Sequence, residues 1–179
     1  MSVPDHWCWR AGPVAPGPAV VVDMDGVVSE ASGRQHFLDR PGRGDWEGFF
    51  DACGDDPLIP ETARLLELLD PGVAVVLLTG RPVRVRPLTL AWLERHELRW
   101  DLLVMRARGD YSVSLESKRE EVAALRAGGF DLRLALEDDV RNREMLQAEG
   151  VPCLYVHSGY YRDFAAPAPG AVGAPGKPR

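Results

Sequence analysis

The stretch Ala19-Val20-Val21-Val22-Asp23-Met24-Asp25-Gly26-Val27 joins an apolar run to a pair of carboxylates. An apolar run without polar alternation is typical of a parallel strand that is covered on both faces. At the end of such a strand, where ligands of open α/β sheets bind, Asp23 and Asp25 are expected to point the same way. Their charges repel unless a cation or a shared proton intervenes. The stretch therefore predicts a divalent-metal site, with a plain polar turn at Gly26 as the alternative.

Three further polar patterns follow along the chain. Thr79-Gly80-Arg81-Pro82 comes after a second apolar run and offers a hydroxyl, a bare backbone and a guanidinium to a phosphate. Ser117-Lys118-Arg119-Glu120 predicts a capping box with Lys118 in the first helical turn, where anions are favoured. Glu137-Asp138-Asp139 follows another apolar run. A turn, a solvated helix face and an N-cap cluster would explain each alone, but their order and placement favour one shared site.

Together the four patterns resemble the four motifs of the haloacid dehalogenase-like (HAD) superfamily of phosphatases, over about residues 19–162. The resemblance implies that Asp23 is the nucleophile, which forms an aspartyl-phosphate, and that Asp25 is the general acid and base. It also implies that Mg²⁺ is held by Asp23, by the backbone carbonyl of Asp25 and by an acid of the last motif. Strand alignment favours Asp138 for that last ligand and leaves Asp139 open.

Within that superfamily, local features are similar to the 3′-phosphatase domain of phage-type polynucleotide kinase-phosphatase. Gly33-Arg34 matches that family's substrate-site arginine, and Thr79-Gly80-Arg81 matches its Ser-Gly-Arg. The resemblance implies a 3′-phosphate of a nucleic acid or nucleotide as substrate, as in nucleic-acid repair. It also implies that phosphate or substrate is bound by Thr79, Gly80, Arg81, Lys118 and Arg34. Val27 in place of a threonine and Glu137 in place of an aspartate depart from the family pattern.

The chemistry expected of such a site sets requirements on its side chains. A phosphomonoester dianion resists attack by a carboxylate, so a metal must neutralise both, while Lys118 and Thr79 absorb charge on the equatorial oxygens. Asp25 must hold a proton for the leaving alcohol and later take one from water. We expect burial beside another carboxylate to raise the pKa of Asp25 for this purpose.

The segment after the acid pair, residues 28–71, is predicted to form a small cap over the site. Its arginines, Arg34, Arg40 and Arg43, precede the aromatic residues Trp46, Phe49 and Phe50. Such a combination is able to hold phosphate and stack on a base. A solvated arginine loop leading to an amphipathic helix whose aromatics dock on the core is the favoured alternative.

Composition narrows the possible functions. The 179 residues carry a formal charge of −6, which disfavours broad capture of duplex nucleic acid but not of a short or single-stranded end. No apolar run is long enough for a membrane span, and three scattered cysteines fit reduced thiols in the cytoplasm. No obligate protein partner is evident. A phosphatase for a small phosphorylated metabolite and a non-catalytic HAD-fold binding protein remain the alternatives.

The alternation of apolar runs and helical periods predicts an α/β fold, a three-layer Rossmann-like parallel sheet with helices on both faces. Residues 1–18 are predicted to be an N-terminal extension, 19–162 the phosphatase domain and 163–179 a flexible tail. Strands are predicted at 19–23, 73–78, 101–105, 132–137 and 152–156. Helices are predicted at about 60–70, 84–97, 117–128 and 141–149.

Overall fold

The computed structural model describes residues 4–39, 44–110, 112 and 114–161. The strands of the described chain are β1 Trp7–Trp9, β2 Pro18–Val22, β3 Ala74–Pro82, β4 Leu102–Arg106, β5 Asp131–Glu137 and β6 Cys153–Tyr155. Its α-helices are α1 Trp46–Asp51, α2 Pro60–Leu68, α3 Arg86–Arg95, α4 Ser114–Ala127 and α5 Val140–Ala148. Among the described helices, none has both the length and the apolar character needed to cross a bilayer.

One six-stranded sheet organises the fold, in the order β1-β4-β3-β2-β5-β6. Strands β2 to β6 pair in parallel, and only β1 is antiparallel to its neighbour, β4. Val22, the last residue of β2, is in register with Leu77 of β3 and with Leu136 of β5. The residues that follow these three strands therefore emerge side by side at one edge of the sheet.

Apolar side chains cover both faces of the sheet, as expected for buried parallel strands. On one face Val20 and Val22 join a buried cluster with Leu66 of α2 and with Trp92 of α3. The other face carries a second cluster, which includes Ala19, Val21, Val76, Val122 and Leu125 of α4, and Met145 and Leu146 of α5. The predicted three-layer α/β arrangement is confirmed.

Two local interpretations are wrong: a predicted helix start and an alternative explanation of one motif. Helix α4 begins at Ser114, so Ser117 is not its N-cap and Lys118 lies one turn inside the helix. Strand β3 continues to Pro82, so Thr79-Gly80-Arg81 is extended chain and not a turn.

The N-terminal segment adds a strand that the sequence patterns did not indicate. Trp7–Trp9 pairs with β4, the Trp7 indole donates to Glu121 of α4 at 2.7 Å, and Trp9 packs against Phe130. These tryptophans dock the segment on the domain. The predicted flexible tail at 163–179 lies outside the described residues.

The segment predicted as a cap folds into short helical elements. A 3₁₀ helix spans Ser32–Phe37, α1 follows, and a second 3₁₀ helix spans Ala52–Asp55 before α2. The solvated-loop interpretation is wrong for Arg34, which is 2% exposed because it enters a buried ion network. Of the aromatic residues, Phe49 and Phe50 dock on the interior as predicted, whereas Trp46 is 54% exposed. Arg40 and Arg43 lie outside the described residues.

Candidate active site

Strands β2 and β5 and helix α4 bring three of the predicted residues together with Glu137. The Lys118 ammonium lies 2.9 Å from Asp23 Oδ1 and 2.6 Å from Glu137 Oε2. Lys118 is 4% exposed, although it carries a full charge, because these two carboxylates compensate it. Asp23, Glu137 and Asp138 each present a carboxylate oxygen within 4.8 Å of the other two. The carboxyl edge of the sheet thus holds a compact, buried acidic group with one lysine.

The acidic group fits a hard divalent cation. Both oxygens of Asp138 are buried and make no hydrogen bond of normal geometry with the described part of the chain, although the Ser158 hydroxyl is close enough to oppose the rise in the pKa of Asp138. Buried carboxylate oxygens without donors are costly unless a cation or a proton compensates them. Oxygen ligands of this kind are those that Mg²⁺ prefers.

Gly26 leaves the room that Asp138 needs. Its φ is +88°, and a Cβ atom at this position would lie 2.1 Å from Asp138 Oδ2 and 2.9 Å from Ser158 Cβ. The bend after the acid pair was expected from the sequence. Its close approach to Asp138 was not, because the two residues are far apart along the chain.

Asp139 has a different task. Its carboxylate caps α5 by accepting the Arg141 backbone N–H at 2.9 Å and pairs with the Arg141 guanidinium at 2.7 Å. It does not belong to the acidic group formed by Asp23, Glu137 and Asp138. The geometry therefore favours Asp138 over Asp139 as the candidate metal ligand.

Burial controls the protonation of the acidic group. Burial raises the pKa of Asp23, and the charge of Glu137 adds to the rise while Lys118 opposes it. Burial and the charge of Asp23 likewise raise the pKa of Asp138. Burial alone would lower the pKa of Lys118, but Asp23 and Glu137 outweigh it and raise the pKa. Without a cation, protons are held in this group at higher pH than in ordinary aspartates.

Asp25 has partners of its own, all cationic. Its Oδ1 accepts from Arg81 Nε at 2.9 Å, from Arg81 Nη2 at 2.5 Å and from Arg34 Nη2 at 2.5 Å. Burial alone would raise the pKa of Asp25, but Arg81 and Arg34 outweigh it and hold the pKa below its ordinary value. The predicted rise is therefore wrong for Asp25. A raised pKa is found instead at Asp23 and Asp138, which face fewer cationic side chains.

A buried carboxylate that sequence reasoning missed completes this second network. Asp56 accepts from Arg34 Nε at 3.0 Å and from Arg34 Nη2 at 2.7 Å, and Arg81 Nη2 lies at 3.3 Å. The Ser29 hydroxyl donates to the same carboxylate at 2.5 Å. No local pattern distinguishes Asp56 from its exposed neighbour Asp55, because its partners are all distant in sequence.

The remaining predicted residues lie on the extended end of β3. Thr79 is buried, and its hydroxyl oxygen accepts the Arg81 backbone N–H at 3.2 Å. Gly80 is half-buried, and a Cβ there would meet only Ser114 Oγ and Arg106 Nη2 at ordinary contact distances. Arg81 is fully buried, and its Nη1 makes no hydrogen bond with any described group. A buried donor without a partner is costly, which makes Arg81 Nη1 a candidate contact for a bound anion.

Comparison with known proteins identifies the family of the chain. Residues 17–161 match the family model of the polynucleotide kinase PNKP phosphatase domain. The chain is similar to a solved structure of the Pnkp1/Rnl/Hen1 RNA repair complex, at 27% identity and a TM-score of 0.67, covering 79% of this chain and 42% of that chain. A second structure of the Pnkp1/Rnl/Hen1 complex is similar at 27% identity and a TM-score of 0.68. This match covers 79% of the present chain and 45% of the other. The present chain thus spans less than half of these two matched chains.

The HAD domain of the effector protein Lem4 from Legionella pneumophila is also similar, at 18% identity and a TM-score of 0.51. That match covers 82% of this chain and 90% of the other. At this level of identity the likeness concerns the fold alone.

Proposed function

The chain belongs to the PNKP phosphatase family of the HAD superfamily and is a phosphatase, and from that premise we propose that it hydrolyses the 3′-phosphate of a nucleic acid or nucleotide with Mg²⁺. The observation that carries this proposal is the placement of Asp23. Its carboxylate lies 2.9 Å from the Lys118 ammonium and in one group with Glu137 and Asp138. A nucleophile beside a cation and at a candidate metal site is the arrangement that phosphoryl transfer to a carboxylate needs.

Asp23, Asp138 and the backbone carbonyl of Asp25 would hold Mg²⁺, and Glu137 joins them as a candidate because it belongs to the same acidic group. When bound, the cation would supply positive charge that offsets the phosphate dianion and the attacking carboxylate. Lys118 and the Arg81 Nη1 donor are the protein's own cationic groups for the same phosphate. The Thr79 hydroxyl is a further donor, since its oxygen already accepts from Arg81.

In the first half-reaction a carboxylate oxygen of Asp23 forms a bond to phosphorus while the bond from phosphorus to the leaving oxygen breaks. In the second, a water oxygen attacks the same phosphorus, and the bond to Asp23 breaks and releases inorganic phosphate. Asp25, held ionised by Arg34 and Arg81, is ready to take the proton of that water. We infer that the negative phosphate of the substrate raises the pKa of Asp25 enough to let it protonate the leaving oxygen first.

The substrate class rests on the family and on the matched structures of an RNA repair complex. The charge of −6 suits a short or single-stranded end rather than a long duplex. A role in nucleic-acid repair and a cytoplasmic location stay predictions.

Phosphate release tests the proposal when it is measured in excess Mg²⁺ from three kinds of substrate. These are a 3′-phosphorylated oligonucleotide, the matching nucleoside 3′-monophosphate and a panel of sugar phosphates. We expect kcat/KM to be highest for the oligonucleotide or the 3′-monophosphate. A clear preference for sugar phosphates would favour the metabolite phosphatase instead. A folded protein that releases phosphate from none of them would contradict catalysis and favour a binding protein.

A further inference from the structure

The segment that follows β6, residues 156–161, is tied to the rest of the fold at both ends. At its start the Val156 backbone N–H donates to the carbonyl of Glu137 at 3.0 Å. Near its end the Tyr160 hydroxyl accepts the Ala31 backbone N–H at 2.7 Å and donates to the Glu30 carboxylate. The segment therefore bridges the end of β5 and the loop that follows the acid pair.

Between these two ties, Ser158 lies against the candidate metal site. Ser158 Cβ and Asp138 Oδ2 are both so close to Gly26 that a Cβ on this glycine would overlap both. The chain turns directly after Ser158 at Gly159, whose φ is +78°. Ser158 thus forms one wall of the space in which the Asp138 carboxylate sits.

Tyr160 also acts on Ser158 through its backbone. The Tyr160 N–H donates to Ser158 Oγ at 3.3 Å. The Ser158 hydroxyl oxygen is therefore hydrogen-bonded to the backbone of its own segment. The Glu30 carboxylate that holds the Tyr160 hydroxyl is itself oriented, because Oε1 accepts the Ser32 N–H at 3.0 Å and Oε2 accepts the Ser32 hydroxyl at 2.5 Å. An ordered chain of hydrogen bonds runs from Ser32 through Glu30 and Tyr160 to Ser158.

We propose that Tyr160 is a positioning residue of the active site, which holds Ser158 against Asp138 through its hydrogen bonds to Glu30 and Ala31. The inference rests on the proposed Mg²⁺ site. Groups that orient a metal ligand without touching the metal change metal affinity when they are removed. Neither Tyr160 nor Glu30 belongs to the acidic group, so their effect on Mg²⁺ would pass through Ser158 and Asp138.

Tyr160→Phe tests this inference, because it removes the hydroxyl and keeps the ring. Isothermal titration of the metal-free protein with MgCl₂, without substrate, should show about tenfold weaker binding than wild type. Tyr155→Phe is the matched control, since Tyr155 is 38% exposed on β6 and, among the described residues, its hydroxyl contacts His157 alone, at 3.4 Å. Equal Mg²⁺ affinity of Tyr160→Phe and wild type would overturn the inference.

Glu30 gives a second test that does not depend on how well Tyr160→Phe folds. Glu30→Gln keeps an oxygen that accepts from Tyr160, so Mg²⁺ affinity should stay within about twofold of wild type. Glu30→Ala should weaken binding as Tyr160→Phe does. In activity assays Tyr160→Phe and Glu30→Ala should need more Mg²⁺ than wild type and should regain the wild-type kcat at saturating Mg²⁺. An unchanged Mg²⁺ requirement would contradict a positioning role.

The titration also separates this inference from the function it rests on. If the wild-type chain binds Mg²⁺ but releases no phosphate, only the catalytic proposal fails. If it binds no Mg²⁺, the metal site and the positioning role fail together.

Discussion

Gly26 matters for the candidate metal site because it has no side chain. Its φ of +88° disfavours any Cβ, and a methyl group there would lie 2.1 Å from Asp138 Oδ2. We expect Gly26→Ala to displace Asp138 and to weaken Mg²⁺ binding by at least about tenfold in a calorimetric titration.

Gly12→Ala separates backbone strain from the displacement of Asp138. Gly12 has a φ of +105°, but a Cβ there would meet no atom within 4 Å. Both substitutions should cost about 1–2 kcal/mol of folding free energy for the left-handed backbone. Mg²⁺ affinity that falls equally in both variants would argue against a specific effect at Asp138.

At the scale of single residues, the sequence predicted which residues gather but not how they are paired. Lys118 is next to Asp23 as the resemblance implies. The sequence did not predict that Asp25 pairs with Arg34 and Arg81. It also did not predict that Glu137 belongs to the acidic group. Such pairings depend on distances between side chains that local patterns do not contain.

In the inserted segment between β2 and β3, the buried carboxylate of Asp56 pairs with Arg34 of the same segment and lies 3.3 Å from Arg81 of β3. We expect Asp56→Ala to lower the free energy of unfolding by about 3–5 kcal/mol in urea denaturation, because Arg34 would lose its main partner and remain buried. Asp55→Ala is the matched control and should change stability by less than about 0.5 kcal/mol, since Asp55 is exposed. Similar losses in both variants would show that the ion network does not anchor this segment.

At the scale of elements, the long buried strands were the most predictable. Strands β2 to β6 lie where the apolar runs predicted them, apart from the extension of β3 to Pro82. Strand β1 was missed because three residues in a segment rich in Pro and Gly carry no detectable period. The start of α4 was misplaced because Ser117 resembles an N-cap, whereas the helix begins at Ser114.

For the molecule as a whole, the acidic group links stability to pH and to metal. The pKa values of Asp23 and Asp138 are raised above the ordinary 3.8 in the folded chain. Below that value both the folded and the unfolded chain are protonated there, and the contribution of these groups to stability is complete. As the pH rises towards the raised pKa values, the unfolded chain loses its protons first, so the metal-free protein loses this stability.

Mg²⁺ competes with the same protons, so its stabilising effect should grow with pH. We expect excess MgCl₂ to raise the Tm more at about pH 8 than at about pH 5. Thermal unfolding with and without MgCl₂ at each pH measures the difference, and Asp138→Asn should remove most of it. An equal increase at both pH values would contradict a metal site built from these carboxylates.

The central claim is that Asp23 receives the phosphoryl group. Its most direct test is peptide mapping by mass spectrometry after turnover of a 3′-phosphorylated oligonucleotide is quenched with acid. We predict a phosphoryl group on the wild-type peptide that contains Asp23. The Asp23→Asn variant should show neither a phosphorylated peptide nor phosphate release. Phosphate release by Asp23→Asn at the wild-type rate would contradict the claim that Asp23 is the nucleophile. A phosphoryl group found on a different residue would contradict it as well.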